Sequence, residues 1–432
     1  MFDIIKKKAF KETYMKRYDL CVIGSGFAGT AAAVAAARCG AKVLLLDKSN
    51  ALGGAATNCL VSPFMKYFTM IDGKRFDLSR GIFTEIWDEL ARLKASASER
   101  RDGFSEETLK RILYELTEAA GVDLLFHAYL FKVNKNGEKI ESVSVATVGG
   151  EITIEADYFI DATGDAQVAF LAGLETTLGR EPDHLCQPMT LNFRVANVDV
   201  EKFMASRDAL NKKYAEYLAD GKFINPRENI LVFKTPYNGV LHFNTTRVVK
   251  KNPTNAWEVT EAEIIARKQV YEVFDFMKEF ADGMEEAYLL MTASEIGVRE
   301  SRMIIGDYVL TEADCKGLKK FDDAIAACNY DIDIHNPEGT GTSHYYFKDG
   351  DYYTIPYRSL IPKGVSNMLV AGRCISSDHG AQASYRIMPT VCTIGEAAGT
   401  AIALAVRSGV DTRGVDIKEL QRTLVENGAF VG

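Results

Sequence analysis

Four apolar runs along this chain stop abruptly at glycine-rich or small-residue turns. The first ends at Val22-Ile23 and meets Gly24-Ser25-Gly26-Phe27-Ala28-Gly29, and the second, Val43-Leu44-Leu45-Leu46, ends on Asp47. The third, Tyr158-Phe159-Ile160, closes on Asp161-Ala162-Thr163-Gly164-Asp165, and the fourth, Met368-Leu369-Val370, on Ala371-Gly372-Arg373. Short continuous apolar runs bounded by turn residues read as strands buried on both faces, as in a parallel sheet. The alanine-rich stretch after Gly29 and the small-residue stretch 389–405, which holds Gly395 and Gly399, read as closely packing helices. The middle of the chain behaves differently. Leu191, Phe193 and Val195 alternate with Thr190, Asn192 and Arg194, a half-buried strand for which 230–233 and 240–248 are the expected partners. A helix is expected from Thr260, boxed by Glu263, with Ala266, Val270, Val273, Phe274 and Met277 on its core face.

The strand, glycine turn, helix and second strand at 22–47 form the unit that binds the adenosine diphosphate half of a dinucleotide. Gly24 permits the tight turn, Gly26 lets the backbone approach a pyrophosphate, and Gly29 lets helix pack on strand. Phosphate charge then meets the unpaired N–H groups of the helix N-terminus. Asp47 stands about 20 residues on, where an acid accepts ribose hydroxyls. The turn alone serves NAD or FAD, and a non-catalytic dinucleotide-binding protein is a further reading.

Composition narrows the class. At 432 residues, with 47% apolar and 25% charged content, the chain is long enough for two lobes of an ordinary globular protein. A net charge of −8 argues against nucleic acid as partner. No cysteine pair has CxxC spacing, so no metal or iron–sulfur site is expected, and the cysteines read as reduced thiols of a cytoplasmic protein. Apolar stretches such as 30–37 fall short of a membrane span, and the basic leader 1–17 lacks the apolar core of a signal peptide.

Together GSGFAG with Asp47, the Gly53-Gly54 pair, DATGD, GVRESR at 297–302, YTIPYRSLIP at 353–362, VAGR and its following helix resemble the FAD-dependent oxidoreductases of the glutathione-reductase-like Rossmann class. The resemblance extends to the tail at 415–429, and more distantly to fumarate reductase and succinate dehydrogenase flavoproteins and L-aspartate oxidase. It implies an α/β chain: a three-layer Rossmann-type FAD-binding domain with a mostly parallel sheet, carrying an inserted α+β substrate or cap domain. The expected division is a leader at 1–17, an FAD domain from 18–65, 110–175 and 353–410, a helical insertion at 66–109, a substrate domain at 176–352 and a C-terminal helix at 411–432. The implied FAD contacts are Gly24, Ser25, Gly26, Phe27, Ala28, Gly29, Asp47, Lys48, Gly53, Gly54, Ala55, Leu130, Ala162, Thr163, Gly164, Gly372, Arg373, Met388, Pro389 and Thr390. The last three sit at a helix N-terminus that would face the flavin pyrimidine. With no histidine near Gly54, non-covalent FAD is expected, although Cys59 follows the cofactor loop.

Catalytic candidates fall in four places. The 376–386 segment is similar to the His-Gly-Ala-Asn-Arg turn of fumarate reductases, where the arginine grips a substrate carboxylate; here Arg386 is displaced along the chain from His379-Gly380-Ala381. His379 is a candidate proton donor or acceptor, since histidine titrates in the working range. Arg299 and Arg302 would share a face of a helix, with a structural ion-pair role as the alternative. Asp331, Asp333 and His335 point one way along an alternating run, which reads as hydrogen-bonded structure rather than a metal site. Tyr353 or Arg358 would border the cofactor lobe. The expected function is hydride transfer between flavin N5 and a small, carboxylate-bearing substrate. An electron-transfer subunit serving a separate acceptor protein or quinone is the alternative, and an oligomer is possible on either reading.

Overall fold

The computed structural model describes residues 17–96 and 103–432. The expected leader therefore lies, all but Arg17, outside the described residues. The elements are β1 (Tyr18–Ile23), α1 (Phe27–Arg38), β2 (Val43–Leu46), α2 (Ala55–Asn58), β3 (Phe68–Ile71), β4 (Lys74–Asp77), α3 (Ile82–Arg92), α4 (Glu106–Ala119), β5 (Asp123–Leu125), β6 (Tyr129–Asn136), β7 (Lys139–Thr147), β8 (Gly150–Asp161) and α5 (Gln167–Leu171). There follow β9 (Thr176–Leu178), β10 (Phe193–Ala196), α6 (Val200–Ala219), β11 (Val232–Lys234), β12 (Leu241–Phe243), α7 (Ala256–Phe280), β13 (Tyr288–Thr292) and β14 (Arg302–Ile304). The chain closes with α8 (Glu312–Lys316), β15 (Ala324–Cys328), β16 (Ile332–His335), β17 (Thr342–Tyr345), β18 (Tyr353–Pro356), β19 (Met368–Val370), α9 (His379–Tyr385), α10 (Met388–Ser408) and α11 (Ile417–Glu426).

All four apolar runs become parallel strands of one sheet. β5, β2, β1, β8 and β19 lie side by side, and Val22 pairs with Leu45 on one side and Ile160 on the other. The first half of β8 leaves this arrangement to form an antiparallel meander with β7 and β6. β5 and β6 are parted where His127 takes a positive φ of 54°.

α1 lies against α10, and glycine sets the spacing. A Cβ on Gly395 would stand 2.0 Å from the Ala28 carbonyl oxygen, and one on Gly399 2.0 Å from that of Ala32. α10 is long and apolar enough to cross a membrane, contrary to the expectation from apolar runs, but 94% of its apolar window is buried inside the protein. Its hydrophobicity serves the core.

A second core forms around the antiparallel sheet β11-β12-β10-β13 and helices α6 and α7. Phe193, Val195, Leu241 and Phe243 join it from the sheet, and Ala266, Val270, Val273 and Met277 from α7. This core spans 189–296, with Leu60, while Ile304, Leu310, Ile325 and Ile332 pack into the first core. The segment after 302 thus belongs with the cofactor lobe, not with the substrate lobe expected to reach 352. The 66–109 segment, expected to be helical, holds the β3–β4 hairpin as well as α3.

α7 starts earlier than Thr260 because Asn255 caps it, its Oδ1 accepting from the Trp257 and Glu258 amides. Thr260 instead donates to the Ala256 carbonyl, and Glu263 accepts from the Ile296 amide at 2.6 Å. The 297–302 stretch is extended rather than helical, with Gly297 bridged to Thr190.

The lobes meet through a buried ion pair, Arg194 of β10 with Glu106 of α4 at 2.7 Å. His242, opposite Arg194 on β12, is fully buried and neither ring nitrogen has a partner among the described residues. Burial, and secondarily Arg194, push its pKa down to about 3.

Two outcomes follow from this packing. Gly395→Ala drives a methyl into the Ala28 carbonyl and should lower unfolding free energy by about 3 kcal/mol in chemical denaturation. His242 is neutral in the fold but titrates near 6.5 when unfolded, so its contribution is complete above pH 6.5 and lost as pH falls towards 3. Between pH 7 and 5 the native protein should therefore lose about 2 kcal/mol more stability than His242→Leu; equal losses would show that this imidazole does not titrate on unfolding.

Candidate cofactor and substrate site

The glycine turn has the geometry its sequence predicts. Gly24, at φ +99°, has no room for a side chain, since a Cβ would lie 2.5 Å from the Ala162 carbonyl oxygen. A Cβ on Gly29 would stand 1.8 Å from the Gly24 oxygen, which fixes the contact of helix on strand. A Cβ on Gly26 meets nothing within 4 Å. That open side faces a groove of about 220 Å³.

Helix capping marks the same place. α4, α6, α7, α9 and α11 are capped by the side chains of Ser105, Asp199, Asn255, Asp378 and Asp416. α1, entered through Gly26, and α10, entered through Ile387 with a proline in its first turn, have no side-chain cap among the described residues. Their first-turn amides carry the positive end of each helix dipole with no side-chain acceptor, an arrangement suited to an anionic or electron-rich ligand.

Most of the expected cofactor residues converge. Gly24, Gly26, Phe27, Ala28, Asp47, Lys48, Gly53, Gly54, Ala55, Ala162, Thr163, Gly164, Gly372, Arg373 and Met388 all line the groove. Asp47 is held by the Ser25 and Ser49 amides and hydroxyls, which makes Ser25 the support of the acid rather than part of the lining. Gly29 acts through packing. Pro389 and Thr390 are buried within the first turn of α10, and Leu130 is buried with its carbonyl accepting from Gln167; none of the three lines the groove.

Lys48 pairs with Glu295 across the groove at 3.4 Å. Arg373 pairs with Asp165 at 2.8 Å while its buried Nε lacks a partner. Burial pushes the Cys59 thiol up to about 12, which leaves it protonated and a poor candidate for covalent attachment. Asn58, Cys59, Glu295 and Ile296 were not foreseen as lining. They carry no motif of their own.

A second cavity, of about 150 Å³, adjoins the first and shares Ala55, Val298, Arg373, Arg386 and Met388 with it. Its lining combines apolar Val61, Pro63, Met65 and Ile387 with polar Thr190, Asn192, Asn244, Arg299, Tyr330, Asp333, His335 and Arg386. Three of the four candidate clusters therefore meet here: Arg299, Arg386, and the alternating run at 331–335. The signal for Thr190 and Asn192 was present in the alternation of 190–195, whose polar face turns to the cavity while its apolar face enters the second core.

Arg299 donates to the Pro188 carbonyl at 2.7 Å, to Thr190 Oγ1 at 2.6 Å and to Asn244 Oδ1 at 3.4 Å. Among the described residues Arg386 makes only long contacts, 3.3 Å to Gln187 Oε1 and 3.4 Å to the Asp333 carbonyl, and its buried Nε has no partner there. Neither guanidinium has a carboxylate within 4.0 Å among the described residues. Burial, then repulsion from Arg386 and Arg227, pulls the Arg299 pKa well down.

Asp333 is buried beside His335 at 3.5 Å and accepts from the Tyr330 hydroxyl at 3.0 Å. Burial alone would push its carboxyl up, but His335, Arg386 and His344 hold it well below the usual range. His335 is held neutral by burial and by Arg299. Since Arg247 Nη2 can only donate to His335 Nδ1, at 3.2 Å, the ring proton resides on Nε2, facing Asp333.

Two expected catalytic residues lie elsewhere. His379 lines neither cavity; its Nδ1 is 2.7 Å from the buried Glu300, which also accepts from the Gln187 amide. Beginning α9 directly after its Asp378 cap turns it away from the cavity. Arg358 forms a half-exposed bidentate pair with Asp323, and Tyr353 bonds to Ser384 within the core. Arg302, on β14, stacks over Phe170.

A family model described as FAD dependent oxidoreductase matches residues 19–424. Digeranylgeranylglycerophospholipid reductase 1 of Methanococcoides burtonii is 28% identical over 194 residues, 43% of this chain and 46% of that protein, so the chain spans about half the length of the curated relative it matches. Among solved structures, a geranylgeranyl bacteriochlorophyll reductase-like protein from Thermoplasma acidophilum aligns over 95% of this chain and 83% of its own, with TM-score 0.46 and 13% identity. For p-nitrophenol 4-monooxygenase of Pseudomonas putida DLL-E4 the figures are 92%, 83%, 0.46 and 10%. The open face at Gly26, the uncapped helices and the unpartnered Arg373 Nε fit FAD. Gly26→Ala puts a methyl on that face with no described protein atom within 4 Å, so it should purify folded, with an unchanged circular dichroism spectrum, yet have lost most of its flavin absorbance; a variant that stays yellow would place the pyrophosphate elsewhere. With a match running from the first strand to the last helix, the chain belongs to the family of FAD-dependent oxidoreductases.

Proposed function

We propose that the protein transfers a hydride between FAD and a small organic acid held in the second cavity. The observation that carries this reading is the pair Arg299 and Arg386, two guanidiniums lining one cavity with no carboxylate partner among the described residues. Arginine does not shed its proton, so a half-buried pair of this kind is best satisfied by an anion, and the planar fork matches a carboxylate.

When bound, FAD supplies the two-electron chemistry at N5. The chain supplies the rest. Arg386, which lines both cavities, and Arg299 orient the carboxylate; Val61, Pro63 and Met65 exclude water. The α10 N-terminus favours negative charge developing beside Met388. Tyr330 Oη and His335 Nε2 hold the protons nearest the cavity, a role that the sequence assigned to His379. A cytoplasmic setting belongs to the same reading, supported by eight free cysteines.

The test pairs small carboxylic acids with their amides, following anaerobic bleaching of the oxidised enzyme or reoxidation of the dithionite-reduced one. Arg386→Ala should raise KM for the acid by about 30-fold or more, the scale of a lost charge-assisted bidentate contact, and leave the amide's KM within about twofold. Equal effects on acid and amide would remove the carboxylate from the proposal.

A further inference from the structure

α7 buries one face and leaves the other with an unusual stripe. Ala262, Ala266, Val270, Val273 and Met277 enter the second core. On the outer face Trp257, Ile264 and Tyr271 are 85%, 52% and 58% exposed. They recur every seven residues and so lie along one line of the helix. Large apolar side chains placed singly on a surface are ordinary; three in a row on one helix are not. The surface continues sideways. Arg267 Nη1 donates to Thr292 Oγ1 at 3.0 Å, which sets mid-α7 beside β13, the edge strand of its sheet, where Leu290 and Met291 are 44% and 42% exposed.

The charges bordering the stripe indicate what covers it. Glu261 and Lys268 flank Ile264 on the same side of the line, one before it and one after. If two copies of α7 meet antiparallel about a two-fold axis at Ile264, Ile264 packs on its own counterpart and Trp257 of each copy lies over Tyr271 of the other. Residues on the same side of the line then face each other, so Glu261 of each copy meets Lys268 of the other. The pattern is self-complementary in both shape and sign. A parallel two-fold arrangement would put the Glu261 and Lys268 of the two copies on opposite edges of the seam, where they cannot pair.

We propose that the α7 face is the two-fold interface of a homodimer, centred on Ile264 and registered by Glu261 and Lys268. Neither residue lines either cavity, so the interface can be tested without disturbing the chemistry. Glu261 also pairs with Lys251 of its own chain at 2.6 Å, a contact that its partner's Lys268 would share.

The test is sedimentation equilibrium on the full FAD-loaded protein up to about 100 µM, the range in which an interface of modest size is populated. The native protein should run at twice the chain mass. Ile264→Glu should run at the chain mass with its flavin absorbance unchanged. Glu261→Lys and Lys268→Glu should each weaken the dimer at least tenfold, and the double variant should restore it, an outcome that general loss of surface apolarity does not produce. A native monomer at the highest concentration, a dimer that survives Ile264→Glu, or no rescue in the double variant each overturns the proposal.

Discussion

Contact between α1 and α10 at glycine distance is the constraint on which the site depends. Gly395 and Gly399 let α10 rest on the carbonyls of Ala28 and Ala32, and Gly29 lets α1 rest on β1. Any larger residue at these points would separate the layers by an ångström or more. The result is that two helices from opposite ends of the chain begin beside the same groove without a side-chain cap. Capping residues stabilise a helix start by about 1 kcal/mol. The protein forgoes that at α1 and α10, where a ligand can provide it, as well as at the short α2 and α5 and at α3, whose first amide bonds to Glu396, and it uses side-chain caps at α4, α6, α7, α8, α9 and α11.

The second cavity shows the same economy with charge. Arg194 is buried too, yet it is matched by Glu106 and reads as a joint between lobes. Arg247 is almost wholly buried and is matched by Glu228 and by carbonyls of Gly339 and Gly341. Arg299 and Arg386 differ from both in having only neutral oxygens. Two half-buried guanidiniums that line one cavity with no carboxylate within 4.0 Å among the described residues carry the functional information. Geometry and charge agree here without reliance on any one pKa.

Much of the cofactor groove was legible because glycine has few reasons to recur. The turn at 24–29, Gly53-Gly54, Gly164 and Gly372 each mark a backbone that must turn sharply or approach closely, and all but Gly29 line the groove. Residues that pack without lining the groove, Leu130, Pro389 and Thr390, could not be separated from those that line it, since periodicity reports burial and not what lies beyond it. His379 failed for a related reason. Its place after the VAGR strand was right, but Asp378 caps α9 and Glu300 waits 2.7 Å from the ring, and neither contact has a signature in sequence. The start of α7 was missed because a good cap at Thr260 was preceded by another at Asn255, and a helix takes the earliest start that its packing permits.

The alternating strands hold the information that sequence reading left unused. Along β10 and the residues leading into it the apolar positions are claimed by the second core, so Thr190, Asn192 and Arg194 face the cofactor lobe, where no water shell can satisfy them. Each is bonded instead: Thr190 to the Thr246 carbonyl and Arg299, Asn192 to the Cys59 carbonyl, Arg194 to Glu106. The same holds for Asp333 and His335 on β16. A strand whose polar face is buried is under a stricter demand than one facing solvent, because every donor and acceptor needs a partner. Once a second lobe is inferred from one face of such a strand, the other face is constrained to be an interface or a site. Here it is both, with Arg194 joining the lobes and Thr190 holding the arginine that faces the cavity.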